Sequence, residues 1–297
     1  MHFRFWGVRG SIASPGEKTI RYGGNTTCIE VRGDDNELIV LDAGTGIFQL
    51  AQTLFPEFPI DCNVFITHTH WDHIQGLPMF VPIFVPGNKI TIHGAADVVN
   101  QRNIKDVLSL QMDYAYFPVR ESQLNAQMNY VDLMPPGQEI QIGNMTVKCL
   151  LLNHPVLNFG YRVECNGKSV VFTGDHEWDF NIYDPEDEEY DEYQSFVEAK
   201  RETIIDFFRG ADALIIDTAY TAEEYPQRKG WGHGTFDTSI AAAREAGVKK
   251  AFLTHHEPTR SDADLEKIFN DALEKNNVGQ PGDPEFALGQ EGLIVEL

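Results

Sequence analysis

Between Val64-Phe65-Ile66 and the next turn, the chain reads Thr67-His68-Thr69-His70-Trp71-Asp72-His73, with three imidazoles and a carboxylate almost side by side. Neutral imidazole and carboxylate are ligands for a borderline or hard divalent ion. Crowded histidines repel one another once protonated, so such a cluster is costly unless a cation holds it. His68 and His70 alternate along an extended segment and project to the same side of it. Asp72 and His73 reach from the turn that follows. Four donors on one ion would close its shell, which makes an open or dinuclear site the reading of interest.

Further donors sit at matching places in the chain. His154 follows Cys149-Leu150-Leu151-Leu152 in a turn marked by Pro155, Asp175 ends the run from Val170, and His255 ends the run from Ala251. Each puts a ligand-type side chain at the C-terminal end of a strand-like segment, where loops bring distant positions together. Singly, each reads as a cap or a turn residue. As a set, the seven donors can hold two ions bridged by Asp175, with room for a shared hydroxide.

The elements that must position these residues are short β-rich runs bounded by Gly, Asn and Asp. Strands are expected at 3–8, 27–31, 37–41, 64–67 and 89–92, then at 145–152, 160–165, 169–172, 213–216 and 250–253. Helical periodicity runs over 47–55, 97–112, 193–208, 236–246 and 261–275. Strand runs with helices interspersed predict two packed sheets covered by helices on their outer faces. All 297 residues read as one domain of α/β class with two insertions. One, at 95–136, is expected to be a helix-containing cover over the site. The other, at 176–199, contains no Lys or Arg and reads as an acidic loop.

A hydrophobic fraction of 42% with 25 Gly and 15 Pro is that of a soluble globular enzyme. The formal net charge of −22 argues against a surface that coats nucleic acid. It leaves a small anionic substrate open, since a bound cation inverts the local potential. No apolar run approaches the roughly 20 residues of a membrane span, and Met1–Trp6 does not look like a signal peptide. Cys28, Cys62, Cys149 and Cys165 are scattered singly, as buried thiols in a reducing cytoplasm would be.

On these motifs the chain resembles the metallo-β-lactamase superfamily, in its branch of ribonuclease Z and phosphoribosyl cyclic phosphodiesterases. The resemblance begins with Gly7-Val8-Arg9-Gly10-Ser11 and Tyr22-Gly23-Gly24-Asn25-Thr26-Thr27, and continues through Leu41-Asp42-Ala43-Gly44-Thr45-Gly46, the H-x-H-x-D-H run and Thr173-Gly174-Asp175. It ends in Gly232-His233-Gly234-Thr235 and Leu253-Thr254-His255-His256-Glu257-Pro258. It implies a four-layer αββα sandwich and two divalent ions, zinc by default with manganese or iron as alternatives. His68, His70 and His154 would hold the first ion, Asp72, His73 and His255 the second, and Asp175 both. Asp42 would orient a metal-bound imidazole from behind. The resemblance also implies a homodimer.

The implied reaction is hydrolysis of a phosphodiester by a hydroxide shared between ions about 3.5–4 Å apart. Asp72 would take its proton, and His233 would neutralise charge on the phosphate or serve the leaving alkoxide. Arg9 and Asn25 are candidate substrate contacts, although an ordinary ion pair is the simpler role for Arg9. Tyr220, Tyr225 and Trp231 could stack a nucleobase, but packing of their own loop is the expectation. His176 is expected in an exposed loop, and His2 and His93 as structural residues. Thioester, lactone or β-lactam hydrolysis is the rival on the same fold, and His233 in Gly-His-Gly-Thr counts against it. A redox di-iron enzyme would usually carry a carboxylate in place of His70. A ribonuclease Z-like endonuclease should carry a basic, Gly-rich arm, and none is found. The favoured substrate is a small phosphodiester such as a 3′,5′-cyclic nucleotide or a cyclic ribose phosphate.

Overall fold

Continuous apolar runs such as Leu38-Ile39-Val40-Leu41 and Ala213-Leu214-Ile215-Ile216 are buried throughout, so each sheet has one face for its partner sheet and one for a helical layer. A computed structural model describes residues 1–297. The first half comprises β1 (His2–Gly7), β2 (Cys28–Arg32), β3 (Leu38–Leu41), α1 (Gly46–Thr53) and β4 (Asp61–Phe65). The short α2 (Trp71–Ile74), β5 (Lys89–Ala95), α3 (Ile104–Leu110) and β6 (Gln127–Leu133) follow. Next come β7 (Glu139–Ile142), β8 (Met145–Leu152), β9 (Asn158–Cys165), β10 (Lys168–Phe172) and α4 (Tyr190–Phe208). The chain closes with β11 (Ala213–Asp217), α5 (Phe236–Ala246), β12 (Lys250–Thr254), α6 (Asp262–Lys275), β13 (Glu285–Leu288) and β14 (Ile294–Glu296).

Two seven-stranded sheets result, ordered β14-β1-β2-β3-β4-β5-β6 and β13-β12-β11-β10-β9-β8-β7. Their facing sides bury Phe3, Phe5, Ile39 and Leu41 against Val147, Tyr161, Val170 and Ile215. The alternate residues Leu38 and Val40 of β3 turn outward to Leu50 and Leu54 beside α1. Leu214 and Ile216 of β11 turn outward to Ile204, Phe208 and Ile240 of α4 and α5. This is the four-layer αββα sandwich expected. No helix is long and apolar enough to cross a membrane, and all four cysteines are buried free thiols.

The two expected insertions are more regular than the reading had them. Segment 95–136 is a β5–α3–β6 crossover, with Ile104 and Leu108 of α3 buried against the first sheet. Its polar composition reflects the position of β6 at the sheet edge. Segment 176–199 divides: it has no helix or strand up to Glu189, and then becomes the start of α4.

Candidate metal centre

The strand ends converge as their sequence pattern implies. β3, β4, β8, β10, β11 and β12 all point the same way, and Asp42, His68, His154, Asp175, Asp217 and His255 follow or end them. Two positions adopt left-handed backbone that a side chain tolerates poorly: Asp42 at φ 61° and His255 at φ 59°. Gly10 makes room for the second of them, since a Cβ there would lie 2.2 Å from the His255 ring.

Three overlapping groups of donor atoms form. His68, His70, His154 and Asp175 make one, and Asp72, His73, Asp175 and His255 the second. Asp175, Asp217, His233 and His255 make the third. Oδ1 of Asp175 lies 3.1 Å from Nε2 of His73 and 3.2 Å from Nε2 of His255. Its Oδ2 lies 3.5 Å from Nε2 of His68 and 4.0 Å from Nε2 of His154. Oδ2 of Asp72 is 3.3 Å from His255 and 3.4 Å from His73. Donors bound at about 2.1 Å to one tetrahedral ion lie about 3.4 Å apart, so this spacing fits ligands around shared cations. The orphaned atoms agree: Nε2 of His68, Nε2 of His73 and Oδ1 of Asp175 are buried without a hydrogen-bond partner. Leaving such groups unpaired is expensive unless an ion satisfies them. The residues therefore fit a pair of divalent ions.

Hydrogen bonds from behind fix the rings. Nδ1 of His73 donates to Asp42 at 2.7 Å, and Asp42 also accepts the backbone N–H of Thr67 at 2.7 Å. Nδ1 of His154 donates to the Gly232 carbonyl at 2.9 Å. Each bond leaves Nε2 with its lone pair turned inward. Burial holds His68, His70 and His154 below the ordinary histidine pKa, towards the neutral form that a metal requires. Burial also disfavours charge on His73, but Asp175, Asp72 and Asp42 prevail and raise it. His255 is likewise raised to about 9, against its burial, by Asp175 and Asp217. Burial opposes ionisation of Asp175, yet the imidazoles of His255, His73 and His68 hold its carboxyl well below the usual range.

His255 and His256 separate cleanly. His255 faces Asp72 and Asp175, whereas Nε2 of His256 donates to the Gly289 carbonyl at 2.8 Å. His233 enters the cluster just ahead of α5, whose N-cap Thr235 accepts from the Thr238 amide. Its ring stacks on His255 with centroids 4.6 Å apart, and its Nδ1 lies 3.8 Å from Asp175.

The two expected substrate contacts are engaged within the fold, and Arg9 takes the simpler role expected of it, with Nη2 3.5 Å from the Asp262 carboxylate. Arg9 is fully buried: Nε donates to the Gly23 carbonyl at 2.8 Å, and Nη1 to the Arg260 carbonyl at 3.0 Å. With its donors committed to the loops around β1, it has no face for a substrate. Asn25 is equally engaged, donating to Glu291 at 3.0 Å and accepting from Thr45 at 3.1 Å. His176, expected in the open, is buried against Trp178 with ring centroids 4.7 Å apart. Tyr220 and Tyr225 pack as expected, but Trp231 is 61% exposed. His93 is a buried residue stacked on Phe65, in line with a structural role.

Three residues of the site escaped the sequence reading. Asp217 accepts from Nδ1 of His233 at 3.0 Å. Asn158 donates to the Thr173 and Asp175 carbonyls at 3.1 and 2.7 Å, holding the Asp175 loop. Glu177 accepts from the Tyr225 hydroxyl and from the Gly230 and Gly232 amides. Only Asp217 left a signal, because it ends the run Ala213-Leu214-Ile215-Ile216-Asp217 just as Asp175 ends its own.

Comparison with known proteins agrees with this architecture. A family model described as the β-lactamase superfamily domain matches residues 37–256, and the chain belongs to that family. It is thereby an enzyme of the metallo-β-lactamase superfamily of hydrolases. The ribonuclease Z of Ignicoccus hospitalis is 26% identical over 245 residues, covering 73% of this chain and 77% of that protein. Among solved structures, the metallo-β-lactamase fold protein YhfI of Bacillus subtilis superposes with a TM-score of 0.67 at 18% identity, over 99% of this chain and 98% of that one. The short form of human tRNase Z gives 0.66 at 18% identity, over 100% and 99%.

Proposed function

We propose that the protein is a dinuclear metal-dependent phosphodiesterase acting on a small phosphodiester, such as a 3′,5′-cyclic nucleotide or a cyclic ribose phosphate. The observation that carries this reading is His233, held by Asp217 at 3.0 Å and stacked on His255 at the edge of the cluster. An imidazole there suits a phosphodiester, whose transition state puts charge on phosphoryl oxygens as well as on a departing alkoxide. His68, His70 and His154 would hold one ion, Asp72, His73 and His255 the other, and Asp175 both. Two divalent ions, when bound, lower the pKa of a shared water and polarise phosphoryl oxygens. Zinc suits these N and O donors best, with manganese or iron as alternatives.

The chain's own residues supply the rest. Asp72 keeps one carboxylate oxygen towards His73 and His255, where it also accepts the Ser11 amide at 2.7 Å. It is placed to accept a proton from the attacking water. His233 opposes charge on the phosphate and delivers a proton to the leaving oxygen, with Asp217 fixing which ring nitrogen faces inward.

A ribonuclease Z-like endonuclease is the second reading, favoured by the name of the relative from Ignicoccus hospitalis. The net charge of −22 works against a polyanion, and the acidic run from Asp184 to Glu192 lies on the segment that leaves the centre after Glu177. A panel assay of metal-loaded enzyme separates the readings, using a bis-aryl phosphodiester, cyclic nucleotides, cyclic ribose phosphates, linear dinucleotides and pre-tRNA. Highest kcat/KM on a small cyclic or linear diester is expected. Preference for pre-tRNA would overturn the small substrate, and turnover of lactones or thioesters alone would overturn phosphodiester chemistry.

A further inference from the structure

The chain has four tryptophans, and their exposure divides them sharply. Trp6 is buried, and Trp178 packs edge-on against His176 and Phe208. Trp71 is 67% exposed and Trp231 is 61% exposed. Trp71 stands between His70 and Asp72, and Trp231 lies two residues before His233. The two largest apolar surfaces an amino acid can offer are thus left in water only beside residues of the metal centre. Scattered exposed apolar residues are ordinary, but this placement is not scattered.

The backbone around Trp231 is also braced. The amides on either side of it, of Gly230 and Gly232, both donate at 2.8 Å to the carboxylate of Glu177. Glu177 is buried, and it also accepts the Tyr225 hydroxyl at 2.6 Å. Gly232 is pressed against the His154 ring so closely that a Cβ would sit 2.2 Å from Nδ1. Upstream, Arg228 lies over the Tyr220 ring at 4.9 Å and Lys229 over the Phe180 ring at 3.6 Å. A loop tip that merely shed an apolar side chain into solvent would need none of this bracing. The bracing fixes the backbone that carries an exposed indole beside His154 and His233, and an aromatic side chain with only two torsions loses little entropy on binding a flat partner.

We propose that Trp231, held by Glu177, is a stacking platform for a planar aromatic group of the substrate, so that the favoured diester carries a nucleobase rather than a bare ribose. This rests on the phosphodiesterase reading and sharpens it. Lys229 on the same loop puts positive charge two residues from the platform, while Arg228 is offset by Glu224 at 3.8 Å; in an otherwise acidic chain this suits an anionic aromatic ligand such as a nucleotide.

The test compares metal-loaded wild type, Trp231→Ala and Trp231→Phe on a 3′,5′-cyclic nucleotide and on a base-free cyclic ribose phosphate. Loss of one base-stacking surface is expected to raise KM for the nucleotide about tenfold more than for the ribose phosphate. Trp231→Phe should recover most of that difference. Glu177→Gln, which keeps an acceptor oxygen, should retain more of the preference than Glu177→Ala. In parallel, a nucleoside 5′-monophosphate should quench tryptophan fluorescence of the wild type more than ribose 5-phosphate does, and Trp231→Ala should lose that difference. Equal effects of Trp231→Ala on both substrates, or none, would overturn the platform. If the wild type cleaves no phosphodiester at all, the hydrolytic reading falls while the fluorescence titration still decides the platform.

Discussion

The carboxylate of Asp217 spans two imidazoles of the centre, accepting from Nδ1 of His233 at 3.0 Å through one oxygen and standing 3.7 Å from Nδ1 of His255 with the other. The His176 amide fixes Oδ2 as well, at 3.0 Å, and the Thr173 hydroxyl accepts the Asp217 backbone N–H at 3.1 Å. A fully buried acid at a strand end thus sets the orientation of the His233 ring.

Removing the His233 ring is expected to slow turnover about a hundredfold or more while both ions stay bound, the usual scale for a proton-transfer group. Asp217→Asn should be milder, because the ring remains but its preferred tautomer does not. Elemental analysis beside kcat for His233→Ala and Asp217→Asn checks this. Loss of metal in His233→Ala would make His233 a ligand instead.

Asp175 belongs to all three donor groups, so its loss cannot be absorbed by one neighbour. Asp175→Ala should lose bound metal and fall to background activity together. In the wild type a chelator should abolish activity and added zinc or manganese should restore it. Full metal content in the alanine variant would remove Asp175 from the shared position.

Arg9 should matter for stability and not for substrate. Arg9→Ala leaves the Gly23 and Arg260 carbonyls buried without their donor, and such losses cost about 1–3 kcal/mol for each unsatisfied group. Urea unfolding should show a drop of about 2–6 kcal/mol, with KM of the folded enzyme unchanged. A raised KM at unchanged stability would return Arg9 to the substrate.

His93 gives the fold an acid-sensitive limb. Its imidazole stacks on Phe65 with centroids 4.3 Å apart, and burial lowers its pKa to about 4. The unfolded chain binds this proton near pH 6.5, the native state only near pH 4. Stability is therefore full above about pH 6.5 and falls on acidification towards pH 4, by at most about 1.4 kcal/mol per pH unit. His93→Phe should flatten that limb between pH 7 and 5 in urea unfolding. Identical slopes in both proteins would mean that His93 does not titrate there.

The ten strands legible in the sequence are the ten interior strands, and the four missed ones, β6, β7, β13 and β14, are the four sheet edges. An interior strand is packed by two neighbours, and its apolar pattern is strong. An edge strand has one neighbour and here gives little pattern to read: β7 alternates exposed and part-buried positions over only four residues, and β14 spans three. The helices were clearer, and α5 spans the expected residues 236–246, because a capping threonine and Gly247 at φ 61° bound its apolar periodicity.

By itself the sequence determined the donor types and their strand-end positions, from His68 to His73 and on to His154, Asp175 and His255, since these follow from local pattern. It also determined the layer order, because strand and helix periodicities fix which faces must be buried. Tertiary structure alone decided the distances that gather the donors around Asp175, since those depend on how two sheets align their strand ends. It decided which polar residues serve the site and which serve the fold, too. Arg9, Asn25 and His176 look as reactive in sequence as Asp217 and Glu177, and only their neighbours, up to 253 positions away for Arg9, determine where their hydrogen bonds go. The exposure of Trp231 belongs to the same class, because burial is a property of what packs against a side chain and not of the side chain itself.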